Sequence, residues 1–198
     1  MTFAIRLTVA ISFLSLTLAE AQTFGWVKPS LSSIPSARSA SALAYDSATG
    51  SAVLFGGETI DGIFYGDTWV FQRGAWSQLF PATSPPPRGG AAMTYDAATG
   101  TVVLFGGNNI VSGDDLNDTW TWDGVTWTQQ FPRLSPPPRD SAGFAYNDAA
   151  QTVVLFGGSG NASGDGVVMK MTPGYGTGER RSGRRGFRRR VHLPAGRG

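Results

Sequence analysis

Val53-Leu54-Phe55-Gly56-Gly57 returns as Val103-Leu104-Phe105-Gly106-Gly107, and again as Val154-Leu155-Phe156-Gly157-Gly158. The offsets are 50 and 51 residues. The same offsets relate Arg38, Arg88 and Arg139, and also Tyr45, Tyr95 and Tyr146. Asp67-Thr68-Trp69 returns as Asp118-Thr119-Trp120, and Trp76 returns as Trp127. Landmarks that move together in this way define a structural repeat, whose units bury their apolar faces on one another.

Each unit reads as four short strands. In the second unit, residues 89–95 are small and apolar, and Asp96-Ala97-Ala98-Thr99-Gly100 supplies a turn. Residues 101–105 form a β-branched apolar run of the kind buried on both faces. Residues 118–122 alternate polar and aromatic, and Asp123-Gly124 is a hairpin signal leading into residues 126–130. Pro85-Pro86-Pro87 and Pro136-Pro137-Pro138 stop the pairing and carry the chain onward. Four strands at a period near 50 predict propeller blades. The expected sheets lie near residues 39–80, 89–131 and 141–158, the last one incomplete.

A double Gly after a hydrophobic run, followed by an aromatic and a later Trp, resembles the kelch repeat. The resemblance extends over about residues 26–158 and is to the kelch-repeat β-propeller family, of the galactose-oxidase central-domain-like kind. It implies an all-β, partial kelch-type β-propeller with about two and a half four-stranded antiparallel blades. The repeats fall near residues 38–87, 88–138 and 139–166, within a domain of residues 22–166. It also implies that the strand after each Arg lines a central channel. Ser39-Ala40-Ser41-Ala42, Gly89-Gly90-Ala91-Ala92 and Ser141-Ala142-Gly143 are small, as crowding at an axis requires. Trp69, Trp76, Trp120 and Trp127 are expected to be buried between or within blades, where large rings bury the most area. Trp26 lies 12 residues before Arg38, just as Trp76 precedes Arg88 and Trp127 precedes Arg139. It is therefore expected in the last strand of a blade whose other strands are elsewhere. The missing blades of its own propeller would complete the ring.

Composition narrows the function classes. The 198 residues include 27 Gly, 12 Pro and no Cys, so neither disulfides nor thiolate chemistry are available. From Val167 onward stand nine of the 16 basic residues but only one acid, Glu179, of the 14. The body keeps seven basic and thirteen acidic residues, and a nucleic-acid partner for the whole chain is not expected. Residues 1–21 read as a signal peptide: Arg6, an apolar run over residues 7–18, then Ala19-Glu20-Ala21. That run is too short for a comfortable membrane span. The expected location is secreted or periplasmic.

After Gly158 the register predicts Asp-Thr-Trp near position 170, and it is absent. Residues 167–198 read instead as an Arg/Gly-rich disordered tail, with a reading-frame shift as its expected origin. A coding sequence ATG ACA CCT GGG TAT GGG ACG GG gives Met171-Thr172-Pro173-Gly174-Tyr175-Gly176-Thr177-Gly178. Read as AAT GAC ACC TGG GTA TGG GAC GGG, one base earlier, the same DNA gives Asn-Asp-Thr-Trp-Val-Trp-Asp-Gly, a near copy of residues 117–124. The restored frame would supply further 50-residue units and a ring of six or seven blades. An incomplete set of blades leaves apolar faces and strand edges open, which favours aggregation.

Little here supports catalysis. Copper-radical oxidases built on kelch propellers need a Cys-linked Tyr and His ligands. This chain has no Cys, and its one His, His192, lies in the tail. No Ser-His-Asp set can be assembled, and no cofactor is expected. Residues 108–118 are Asp-rich but lack EF-hand spacing, so a solvated loop is the plainer reading of them. Asn117-Asp118-Thr119 and Asn161-Ala162-Ser163 match the glycosylation pattern. Arg38, Arg88 and Arg139 recur at strand entrances as candidate ligand-binding residues, with pairing to an Asp or stacking on an aromatic as the structural alternative. The expected function is a secreted kelch-repeat binding module for a protein or glycan. The alternative is a fragment of a propeller-based enzyme, an oxidase or glycan-active, with its catalytic residues on missing blades.

Overall fold

The computed structural model describes residues 25–26, 33–109, 114–160 and 169–171. The chain divides into two units, Met1–Ser30 and Leu31–Gly198. Of the first, only Gly25 and Trp26 are described; they form no strand, and Trp26 is exposed. The expected signal peptide, and all of the expected tail except residues 169–171, lie outside the described residues.

Among the described residues the second unit is all-β, in three antiparallel sheets. The first sheet holds β1 (Ala42–Asp46), β2 (Ser51–Phe55), β3 (Thr68–Gln72) and β4 (Ala75–Leu79). The second holds β5 (Ala92–Asp96), β6 (Thr101–Phe105), β7 (Thr119–Trp122) and β8 (Trp127–Gln130). The third holds β9 (Gly143–Asn147), β10 (Thr152–Phe156) and β11 (Met169–Met171). Strand order follows chain order in each, and β5 packs on β1 at one side and β9 at the other. The first strand of every sheet therefore lies innermost, as in neighbouring blades of a propeller.

Local chemistry sets the turns. Asp46 and Asp96 each accept a backbone N–H two residues on, from Ala48 and Ala98, at 2.9 Å. Gly50 and Gly100 close these turns with φ of 67° and 69°. The outer hairpins differ from each other. Gln72 pairs with Ala75 across Arg73-Gly74, and both turn residues have positive φ, as a type I′ turn requires. In the second sheet Trp122 pairs with Trp127, so four residues make the loop. The Asp123 carboxylate accepts the N–H groups of Val125 and Thr126 at 2.8 Å, an Asx-type turn. Thr126, expected in the strand, is held in the loop instead.

The third sheet departs further from expectation. No Asp-Thr-Trp follows residue 158, yet β11 pairs with β10. Leu155 stands opposite Met169 as Leu104 stands opposite Trp120. Main-chain pairing asks only for backbone donors and acceptors, and Met169-Lys170-Met171 holds no Pro to remove one.

The core lies between the sheets. Ala42, Ala44, Val53 and Phe55 of the first meet Met93, Val102, Leu104, Trp120, Trp122 and Trp127 of the second. Trp127 is 1% exposed; its ring lies 5.3 Å from Phe55 and 5.4 Å from Trp122. Its indole N–H donates to Thr68 Oγ1 across the joint at 2.9 Å. A smaller cluster joins Ala92 and Phe105 to Leu155. Trp69 and Trp120 are buried as expected, but Trp76 is only half-buried. It is the counterpart of Trp127 on the side of the first sheet where, among the described residues, no other sheet packs.

The sheets are also joined where their inner strands begin. Gly90 N–H donates to the Ala40 carbonyl at 2.9 Å, and Ser141 N–H donates to the Gly90 carbonyl at 2.8 Å. The three residues have φ of 52°, 64° and 52°.

The Gly-Gly pairs answer to close approach at these joints. A Cβ on Gly106 (φ 65°) would stand 2.5 Å from the Arg139 carbonyl oxygen, whereas one on Gly124 (φ 97°) would meet nothing within 4 Å. Gly106→Ala is expected to lower unfolding free energy by about 3 kcal/mol and Gly124→Ala by about 1 kcal/mol. Chemical denaturation of the two variants checks the difference.

Candidate functional site

The three recurring arginines stand at the entrance to each sheet. Arg88 N–H donates to the Tyr65 carbonyl at 3.1 Å, and its own carbonyl accepts Gly57 N–H at 2.9 Å. Both partners belong to the β2–β3 loop of the first sheet. The side chain reaches the other way, into the second sheet. Arg88 Nη1 and Nη2 donate to Asp118 Oδ1 and Oδ2 at 2.6 and 2.9 Å, and Nη1 also donates to the Gly106 carbonyl at 3.0 Å. Asp118 Oδ2 accepts the Trp120 indole N–H at 2.7 Å. Arg38 repeats the set with Asp67 at 2.6 and 3.0 Å and the Gly56 carbonyl at 3.1 Å, and its guanidinium lies 3.8 Å over the Tyr65 ring. Trp69 donates to Asp67 as Trp120 does to Asp118.

Arg139 breaks the series. It donates to the Gly157 and Pro137 carbonyls at 2.8 and 3.1 Å, and among the described residues no carboxylate pairs with it. Asp67 and Asp118 each stand two residues before the Trp opposite a β2 or β6 leucine; Val167 holds that place before Met169.

Arg88 and Arg139 are buried, and the Arg38 side chain is 5% exposed. The expected ligand-binding role for Arg38, Arg88 and Arg139 therefore meets no open guanidinium. For Arg38 and Arg88 the geometry is the Asp pairing that the sequence also allowed. Burial pushes the Asp67 and Asp118 carboxyls up. Hydrogen bonds from Arg and Trp, with the attraction of the guanidinium, outweigh it and leave both below the ordinary 3.8.

Asp118→Asn leaves Arg88 buried without its countercharge and is expected to cost about 3 kcal/mol at pH 7. A lowered folded-state pKa gives stability that is full above the unfolded value and is lost as pH falls through the folded one. The parent chain should thus weaken steadily below about pH 4, with Asp118→Asn showing a shallower acid decline. Urea unfolding at pH 7 and pH 3 checks both.

Exposed apolar side chains collect elsewhere. The β2–β3 loop and the connections leading into each sheet share one end of the sheets. Ile34, Ile60, Ile63, Phe80, Phe131 and Leu134 lie on these segments and are exposed. Phe80 and Phe131, 84% and 81% exposed, occupy the same register just beyond β4 and β8, each followed by Pro. The Pro ends strand pairing and turns the chain outward. A core position would be covered, so these rings belong to the surface. Sequence reasoning passed over them; the Phe-Pro step recurring at 51 residues was the available signal.

The Asp-rich loop is partly described. Asn108 donates to Asp140 at 3.2 Å, and burial with the nearby Asp140 and Asp114 charges raises the Asp115 carboxyl. Among the described residues no three His, Asp or Glu groups gather to hold a metal ion, and no helix is long and apolar enough to cross a membrane.

The family model of the KLHDC2/KLHL20/DRC7 Kelch-repeats domain matches residues 11–172, a span that takes in all three sheets and β11. No curated protein matches the chain. With antiparallel sheets whose first strands lie innermost and the arginine-to-aspartate joint repeated in the first two, the chain belongs to the kelch-repeat family.

Proposed function

We propose that this chain is a secreted protein-binding module whose partner seats on the end of the sheets formed by the β2–β3 loop and the β4–β5 and β8–β9 connections. The repeated, exposed Phe80 and Phe131 carry the reading. Large apolar side chains held in water at matching positions mark an interaction surface more than a packing need. Aromatic rings are also enriched among the residues that dominate binding energy. The signal-like residues 1–21 support export, and membership of the kelch-repeat family supports protein binding.

The test pairs the chain with Phe80→Ser/Phe131→Ser, each immobilised and offered the secreted proteins of the producing cell and a glycan array. The expected result is a protein retained by the parent chain and bound at least about tenfold more weakly by the variant. The thermal midpoint of the variant should stay within about 3 °C. Equal retention by both chains would remove this surface from the binding role. Retention on glycans alone would favour the carbohydrate reading.

A further inference from the structure

Resting on the binding end proposed above, we infer that its partner is a basic, apolar protein segment, which seats a Lys or Arg side chain between Asp115 and Asp140. The two joints of the chain fill one position differently. Asn108 bridges to Asp115 as Glu58 bridges to Phe64, and Arg139 bonds to Leu116 as Arg88 bonds to Tyr65. Asp115 is therefore the counterpart of Phe64, and Asp140 is the counterpart of Gly89. In the first joint the Phe64 ring lies on Gly89, where an added Cβ would stand 3.1 Å from Phe64 Cε1. In the second joint two carboxylates take the places of that ring and that glycine.

The carboxylates act against the fold. Burial, then the Asp140 and Asp114 charges, raises the Asp115 carboxyl. Asn108 Nδ2 donates to Asp140 Oδ2 at 3.2 Å, which supplies a dipole but no countercharge. Arg139, next in the chain to Asp140, is turned to the Gly157 and Pro137 carbonyls. The fold does not require acids here, since the same chain closes the first joint with an aromatic ring. A local cost without a structural return marks a functional position. A positive charge from outside would relieve it.

The rest of this end has the same sign. Glu58 and Asp61 lie on the β2–β3 loop and Asp114 on the β6–β7 loop, while the exposed cation of this end among the described residues is Arg133. Such a field steers a basic partner in and disfavours an acidic one. Apolar contacts lie further out. Asp140 directly precedes Ser141 of the inner arc, whereas Phe80 and Phe131 follow the outermost strands. Three inter-strand steps separate inner from outer strand, about 14 Å, or about four residues of extended chain. A segment with a basic residue about four positions from an apolar one would reach both.

The experiment selects a phage-displayed library of random short peptides against the full chain; enriched peptides are then synthesised and titrated. They are expected to combine Lys or Arg with an apolar residue and to bind more weakly as salt rises. Their affinity should fall at least about tenfold for Asp115→Asn/Asp140→Asn. A carboxyl raised in the folded state opposes folding once it is ionised. Asp115→Asn alone should therefore match or exceed the thermal midpoint of the parent at pH 7, which separates recognition from support of the fold. Neutral or acidic peptides, basic peptides held equally by the double Asn variant, or no enriched peptide at all overturn the inference. So does a thermal midpoint raised by calcium chloride in the parent and not in the double Asn variant, which would assign the carboxylates to a metal ion. Peptides that need Phe80 and Phe131 but carry no basic residue would overturn it and leave the binding end standing. Basic peptides indifferent to Phe80→Ser/Phe131→Ser would support the carboxylates and remove the aromatic contacts.

Discussion

Arg88 belongs to two sheets at once. Its peptide group is bonded to the β2–β3 loop of one, while its guanidinium is bonded to Asp118 and Gly106 of the next. Apolar packing is non-directional and by itself permits sliding. A bidentate guanidinium–carboxylate pair fixes both distance and plane, so the angle between sheets is set by a polar contact with the apolar core filled in around it. The first Gly of the Gly-Gly signature follows from the same contact, and the second answers to the entrance of its own sheet. A Cβ on Gly56 would stand 2.5 Å from the Arg88 carbonyl, and one on Gly57 would stand 2.5 Å from Ser41 Oγ. Any other residue at Gly56 would hold the arginine's peptide group away from the loop that binds it.

The third sheet shows what happens when this contact is incomplete. Arg139 keeps its backbone bonds to the second sheet, from Leu116 and Gly107, and its bond to the Gly157 carbonyl. It therefore still stitches the sheets together, but only carbonyl dipoles meet its charge among the described residues. The apolar cluster there is correspondingly small: Ala92, Phe105 and Leu155, with Ala142 and Phe144 alongside. Among the described residues, nothing plays toward Phe105 the part that Trp127 plays toward Phe55.

The repeat was legible in the sequence because a blade is a local unit. Its strands, turns and glycines are dictated within about 50 residues, and the observed β6 coincides with the apolar run over residues 101–105. What could not be read locally was burial at the ends. Trp76 and Trp127 share a register, yet their burial differs because a neighbour covers only one of them. The roles of Arg38 and Arg88 were open for a similar reason. A recurring arginine near an opening and a recurring arginine in a joint look alike until the distant Asp, 29 or 30 residues on, is placed beside it. The end of the Asp123-Gly124 loop was misjudged by one residue, Thr126, because the Asp side chain, and not the backbone alone, completes the turn.

The bonds from Gly90 to Ala40 and from Ser141 to Gly90 all run in one sense around the inner strands. A peptide dipole lies along its hydrogen bond, so these dipoles chase one another tangentially, unlike those of a helix, which add along one axis. On a complete circle a tangential set sums to zero and projects no field down the centre. The mouth of such a channel would carry no built-in preference for anions or cations from its backbone. Any selectivity there would have to come from side chains, and of those next to the arc, Ser39, Ser41, Gly89, Ala91, Asp140 and Ala142, only Asp140 carries a charge.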